Sequence, residues 1–161
     1  MSLDYSTLVM QFDGGSRGNP GPAGCGVTLT TPAGDLVYEL GDYLGTHTNN
    51  YAEYSGLIRG ADAAVKLGAR KLEIRADSEL VVRQILGIYR VKNATLRPLY
   101  QQAMDLLQQI PAWSIRHVYR SSNARPDELA NMAMNRKRAI YSGPAAEILH
   151  PTEEPRQKSV G

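Results

Sequence analysis

Cysteine occurs once in the 161 residues, as Cys25, so no internal disulfide is available and a reducing, cytoplasmic setting is expected. Long apolar runs are missing: none approaches the roughly 18 residues that a membrane span needs. The opening stretch, Met1 to Thr7, lacks the basic segment and apolar core of a secretory signal. Neither sign of charge dominates, since 18 Lys and Arg stand against 16 Asp and Glu for a net charge of +2. A nucleic-acid partner, if there is one, must therefore be met by local charge. No internal repeat is found. With 42% hydrophobic and 21% charged residues, the chain reads as one compact globular domain, expected to be monomeric.

The pattern of apolar residues sets out the elements. Leu8 to Phe12 is a short apolar run ended by Asp13-Gly14-Gly15, which predicts a buried strand stopping at a glycine-rich turn. Gly24 to Leu29 and Leu36 to Tyr43 flank the turn segment Thr31-Pro32-Ala33-Gly34 as a hairpin. Tyr54, Leu57, Ile58, Ala61 and Val65 recur at helical spacing, with Gly68 placed to close the helix. Lys71 to Ala76 alternates as a strand. Ser78 to Leu86 and Leu96 to Gln109 return to helical spacing, Trp113 to Tyr119 alternates again, and Pro126 opens a last helix. The expected fold is α/β, a five-stranded mixed sheet of three antiparallel then parallel strands, flanked by helices. The domain is expected over residues 1–142, and the polar, proline-containing stretch 143–161 is expected to be a flexible tail.

Four acids fall at element ends. Asp13 ends the first strand, Glu53 lies in the first helix's opening turn, Asp77 ends the fourth strand and Asp127 opens the last helix. In such sheets ligands bind beyond the strand ends, so the four can converge on one crevice. Packed carboxylates repel one another, and hard oxygen donors suit Mg²⁺ or Mn²⁺. Two such ions about 3.5–4 Å apart support phosphodiester hydrolysis. Each acid also has a plainer reading. Asp13 is either a ligand or a turn former, and Asp77 either a ligand or an N-cap. Glu53 fits a capping box with Asn50, and Asp127 after Pro126 fits the helix dipole.

The neighbourhoods of these acids add a resemblance. The run Asp13-Gly14-Gly15-Ser16-Arg17-Gly18-Asn19-Pro20-Gly21-Pro22-Ala23-Gly24, the run Thr48-Asn49-Asn50-Tyr51-Ala52-Glu53, the pair Asp77-Ser78 and the run Asp127-Glu128-Leu129-Ala130 occur in that order. Together they resemble the type 1 ribonucleases H over roughly Leu8 to Ala139. The resemblance implies a ribonuclease H-like fold and an endonuclease that hydrolyses the RNA strand of RNA/DNA hybrids, leaving 5′-phosphate and 3′-hydroxyl ends. It implies two Mg²⁺ ions, with Mn²⁺ as a substitute, held by Asp13, Glu53, Asp77, Asp127 and the backbone of Gly14. Hybrid contacts would fall to Gly15, Ser16, Asn19, Asn49, Asn50 and Glu79, which can sense a shallow minor groove and its 2′-hydroxyls. Thr48 and Asn93 would take a DNA-strand phosphate. Alternatively the asparagines only cap turns.

The sequence departs from the best-known members in three places. The stretch from Asp77 to Val91 is too short for an added basic helix and handle, so this resembles the handle-less branch, with hybrid affinity expected to depend strongly on salt. Thr46 stands where many relatives have Arg, which would shift phosphate grip to Arg90, Lys92 or His47. No His lies between Tyr119 and Asp127; Arg125 is the candidate there for handling product or phosphate. His117 is read as a strand residue, Cys25 as a small buried one, and Arg136-Lys137-Arg138 as a solvated helix end. The competing functions are a hybrid-binding module without catalysis and a resolvase or integrase on the same fold.

Overall fold

The computed structural model describes residues 3–151. Strand β1 (Thr7–Ser16) pairs antiparallel with β2 (Gly21–Thr30), and β2 pairs antiparallel with β3 (Leu36–His47). On its other side β1 pairs parallel with β4 (Lys71–Ala76), which pairs parallel with β5 (Ala112–His117). Helix α1 (Asn49–Lys66) links β3 to β4; α2 (Glu79–Ile85) and α3 (Leu96–Leu107) link β4 to β5. A 3₁₀ turn (Arg120–Ser122) leads into α4 (Ala124–Arg136). The expected α/β architecture holds, three antiparallel strands and then parallel ones, with the Thr31–Gly34 turn closing the hairpin. Among the described residues no helix is long and apolar enough to cross a membrane.

Among the described residues the sheet has six strands rather than five, in the order β5-β4-β1-β2-β3-β6. The added one, β6 (Ile140–Ser142), pairs Ile140, Tyr141 and Ser142 with Gly41, Leu40 and Glu39. Three residues are too few for an alternating pattern to be legible. The expected tail also begins too early. Ala145 is fully buried and its N–H donates to the Val37 carbonyl at 2.9 Å, and a short helix α5 (Ala146–Leu149) follows. The His150 ring stacks on Tyr141 at 3.7 Å and hydrogen-bonds the Tyr38 hydroxyl at 2.6 Å. One alanine and one aromatic stack hold a segment whose composition reads as polar. Residues 152–161 of the expected tail lie outside the described residues.

Two helices cover the sheet from opposite faces. Met10, Phe12 and Val27 meet α1 through Tyr54, Leu57 and Ile58 in one buried cluster. On the other face Gly24 and Gly26 of β2 and Gly41 of β3 leave room for the backbone of α4: a side chain at Gly26 would overlap the Pro126 carbonyl, and one at Gly41 the Leu129 carbonyl. Asp13, Gly26 and Gly41 are successive neighbours across the strands. The row that carries the first acid is thus the row on which α4 rests.

Candidate active site

Strand β1 does not stop at Asp13. It runs on to Ser16 because pairing with β2 continues through Asp13↔Gly26 and Ser16↔Ala23, while the parallel pairing with β4 ends at Phe12↔Ala76. Asp13 and Asp77 are therefore the first residues past the point where two parallel strands part, the place where open α/β sheets bind ligands. The third acid arrives by close approach. Gly14 lies directly under the first turn of α1, and any side chain there would overlap the backbone of Ala52 and Glu53.

Carboxylate oxygens of Asp13, Glu53 and Asp77 lie within 4.8 Å of one another. Asp13 Oδ1 accepts from the Gly14 N–H at 2.9 Å, whereas Glu53 Oε2 and Asp77 Oδ2 are buried with no hydrogen-bond partner among the described residues. Burial, and then the charge of Asp77, pushes the Asp13 carboxyl up to about 7; burial and the charge of Asp13 push Glu53 well above the usual carboxylate range. Buried oxygens left unpaired carry a desolvation cost that a cation offsets. The donor set, hard oxygens with two of them orphaned, fits a divalent metal. The plainer readings fail for two acids. Thr48 caps α1, its hydroxyl accepting from the Tyr51 N–H at 3.2 Å, so Glu53 is no capping-box arm, and Ser78, not Asp77, caps α2.

Asp127 is different. It sits in the first turn of α4, exposed and outside the group of three, though its charge reaches Asp13. Asn131 Nδ2 donates to its backbone carbonyl at 3.0 Å.

Of the expected hybrid-contacting residues, most come together. Asn19, Thr48, Asn49, Asn50 and Asn93 line one cleft of about 340 Å³ with Thr95 and Leu96. Asn49 Oδ1 accepts from the Ser16 N–H at 2.8 Å and the Asn49 N–H donates to Asn19 Oδ1 at 3.1 Å, so Gly15 and Ser16 are tied to the same edge. Asn93 also caps, its side chain accepting from the Thr95 and Leu96 N–H groups at 2.8 and 3.2 Å. Two residues are engaged elsewhere. Glu79 pairs with Arg83 at 2.6 Å, and the Arg125 guanidinium is held by Glu39 at 2.7 Å and Glu128 at 3.0 Å. His47 stacks flat on Tyr51 at 3.7 Å, and Cys25 is buried with its thiol pushed up to about 12 by burial. A larger groove of about 770 Å³, lined by Tyr89, Arg90, Arg97 and Tyr100, holds none of the four acids.

Sequence reasoning missed Asn123. Its side chain is fully buried and reaches across to β1. In the polar run Arg120 to Arg125 no periodicity marks it; its place four residues before Asp127 was the available signal.

Comparison with known proteins bears on this geometry. A family model described as reverse transcriptase-like matches residues 11–133. Ribonuclease HI of Halobacterium salinarum is 45% identical over 124 residues, 77% of this chain and 62% of that protein. The bifunctional protein Rv2228c of Mycobacterium tuberculosis is 46% identical over 129 residues, 80% of this chain but 35% of that one. The chain thus spans under two-thirds of either relative. LC11-RNase H1, solved in complex with RNA/DNA hybrid, superposes with a TM-score of 0.77 at 39% identity, covering 81% of this chain and 98% of that one. On this identity and coverage, the chain belongs to the type 1 ribonuclease H family.

Proposed function

We propose that this chain hydrolyses the RNA strand of RNA/DNA hybrids, leaving 5′-phosphate and 3′-hydroxyl ends. The observation that carries the reading is the trio Asp13, Glu53 and Asp77 within 4.8 Å, with two buried oxygens unpaired beside an asparagine-lined cleft. Asp13, Glu53, Asp77, Asp127 and the backbone of Gly14 are the proposed ligands of two Mg²⁺ ions, with Mn²⁺ able to substitute. When bound, such ions activate water and stabilise the leaving oxygen of a phosphodiester.

In the reaction the oxygen of water bonds to phosphorus as the P–O3′ bond breaks; the phosphate stays on the 5′ end and the 3′ oxygen leaves as a hydroxyl. The chain's own part is to orient. Asn19, Asn49 and Asn50 present amides to the minor groove beside the acids, with Gly15 and Ser16 forming the adjoining edge, and the Thr48–Asn93 cleft receives a phosphate of the DNA strand. Glu79 and Arg125, being paired with Arg83 and Glu39, contribute at the margin once those pairs open. The catalytic unit, expected over 1–142, is proposed to extend to His150, which packs on the sheet, and to act as a monomer in the cytoplasm, a reducing setting that the free, buried Cys25 suits.

Labelled hybrid, duplex DNA and duplex RNA incubated with Mg²⁺, Mn²⁺ or EDTA test the reading, with Asp13→Asn as the control. The expected result is metal-dependent cutting of hybrid that the substitution abolishes. Binding without cutting under every metal would mark a non-catalytic module, and cutting of duplex DNA a resolvase-like enzyme.

A further inference from the structure

Asn123 occupies the N-cap position of α4, yet its side chain makes no capping hydrogen bond there. Asparagine is among the preferred residues at that position because its oxygen accepts from the helix's own first N–H groups. Here the side chain is turned away. Its Nδ2 donates to the Phe12 carbonyl at 2.8 Å, and its Oδ1 lies 3.2 Å from Gln11 Nε2, which also donates to the Ser122 carbonyl at 2.7 Å. Phe12 is the last residue of β1 that pairs with β4, immediately before Asp13.

The consequence is a second fixed point for α4. The glycines of β2 and β3 set how near the helix lies to the sheet, and Leu129, Ala133 and Met134 pack beneath it; its outer ties, Arg125 to Glu39 and Arg17 to Asn131, face solvent, so a buried polar stop against sliding along the axis has to come from its start. Asn123 supplies the stop, fastening the helix start to the backbone that carries Asp13. One turn later comes Asp127, exposed and with no contact to the other three acids among the hydrogen bonds it makes.

We propose that Asn123, braced by Gln11, is a positioning residue that sets Asp127 against Asp13 by tying the start of α4 to the Phe12 carbonyl. The inference rests on Asp127 belonging to the metal site proposed above.

The test is a double-mutant cycle in the full chain with Asn123→Leu and Asp127→Asn, read two ways: kcat and KM on RNA/DNA hybrid, and Mn²⁺ affinity by electron paramagnetic resonance of the free ion. Melting curves keep every assay below unfolding. Asn123→Leu is expected to lower kcat about tenfold with KM nearly unchanged, and to weaken Mn²⁺ binding severalfold. In the Asp127→Asn background both effects should shrink to less than about twofold, since there is then no carboxylate to position. Equal losses in both backgrounds, or no loss in the first, overturn the proposal. If Asn123→Leu fails to fold, Gln11→Leu, which removes only the brace, enters the same cycle with a smaller expected loss under the same criterion. If the wild type cuts no hybrid, the substrate reading fails while the Mn²⁺ arm still decides the role of Asn123.

Discussion

The two halves of the site are held by opposite means. On the α1 side, Asp13, Glu53 and Asp77 are drawn together by backbone: adjacent parallel strands carry two of them, and Gly14 lets the first turn of α1 approach with the third. On the α4 side a single exposed acid depends on a helix seated on glycines and fastened at its start by Asn123. The first half packs its acids away from water, so burial, and after it their mutual repulsion, raises the Asp13 and Glu53 carboxyl pKa values. In the second half the acid itself stays exposed, and what is fixed is the helix start beneath it.

Substitutions in the buried trio should have the largest effects. Asp13→Asn should lower hybrid cleavage at least about a thousandfold in a kcat measurement, because the buried trio acts as a unit. Gly14→Ala should come next. Its methyl must displace α1, costing about 2–4 kcal/mol in denaturant unfolding, and a helix pushed away takes Glu53 with it, so activity falls with stability. Asp127→Asn should cost on the order of 10- to 100-fold in kcat and leave the melting temperature nearly unchanged, as expected for an exposed side chain.

A pH titration sharpens the same contrast. Because the folded Asp13 and Glu53 carboxyls lie above their unfolded values, their contribution to stability is present at low pH and lost as pH rises through the folded pKa, about 7 for Asp13. In EDTA the melting temperature of Asp13→Asn should therefore exceed that of wild type at pH 8, by about 3 °C or more, and the gap should close towards pH 5. Added Mg²⁺ should raise only the wild type at pH 8. The same scan with Asp127→Asn should show a much smaller gap; an equal gap would mean that the two halves are not different in kind.

Much of this was legible before any coordinates. The parallel β4 announces itself by alternating burial, α1 by apolar residues at helical spacing and the hairpin by its turn chemistry, and the four acids stand out because each adjoins an element end. What could not be read was decided by non-local pairing. Asp13-Gly14-Gly15 carries the chemistry of a turn, but β2 lies alongside to extend the strand through it. Arg125 looked free for phosphate until the fold brought Glu39 of β3 beside it, and Glu79 until Arg83 closed on it one helical turn later. Asn123 gave no sign of its role because the Phe12 carbonyl it meets is 111 positions away in the chain.

The segment after α4 closes part of the sheet's margin. A twelve-residue strand at the margin of a sheet, as β3 would be without β6, offers a row of unpaired amides and carbonyls on which a second polypeptide can add. Ile140–Ser142 and Ala145 occupy that row from Val37 to Gly41, and the His150 stack clasps them in place. What composition marks as a loose end thus works as a selvedge for the first half of β3, leaving a margin of only three residues where a neighbour would otherwise find five.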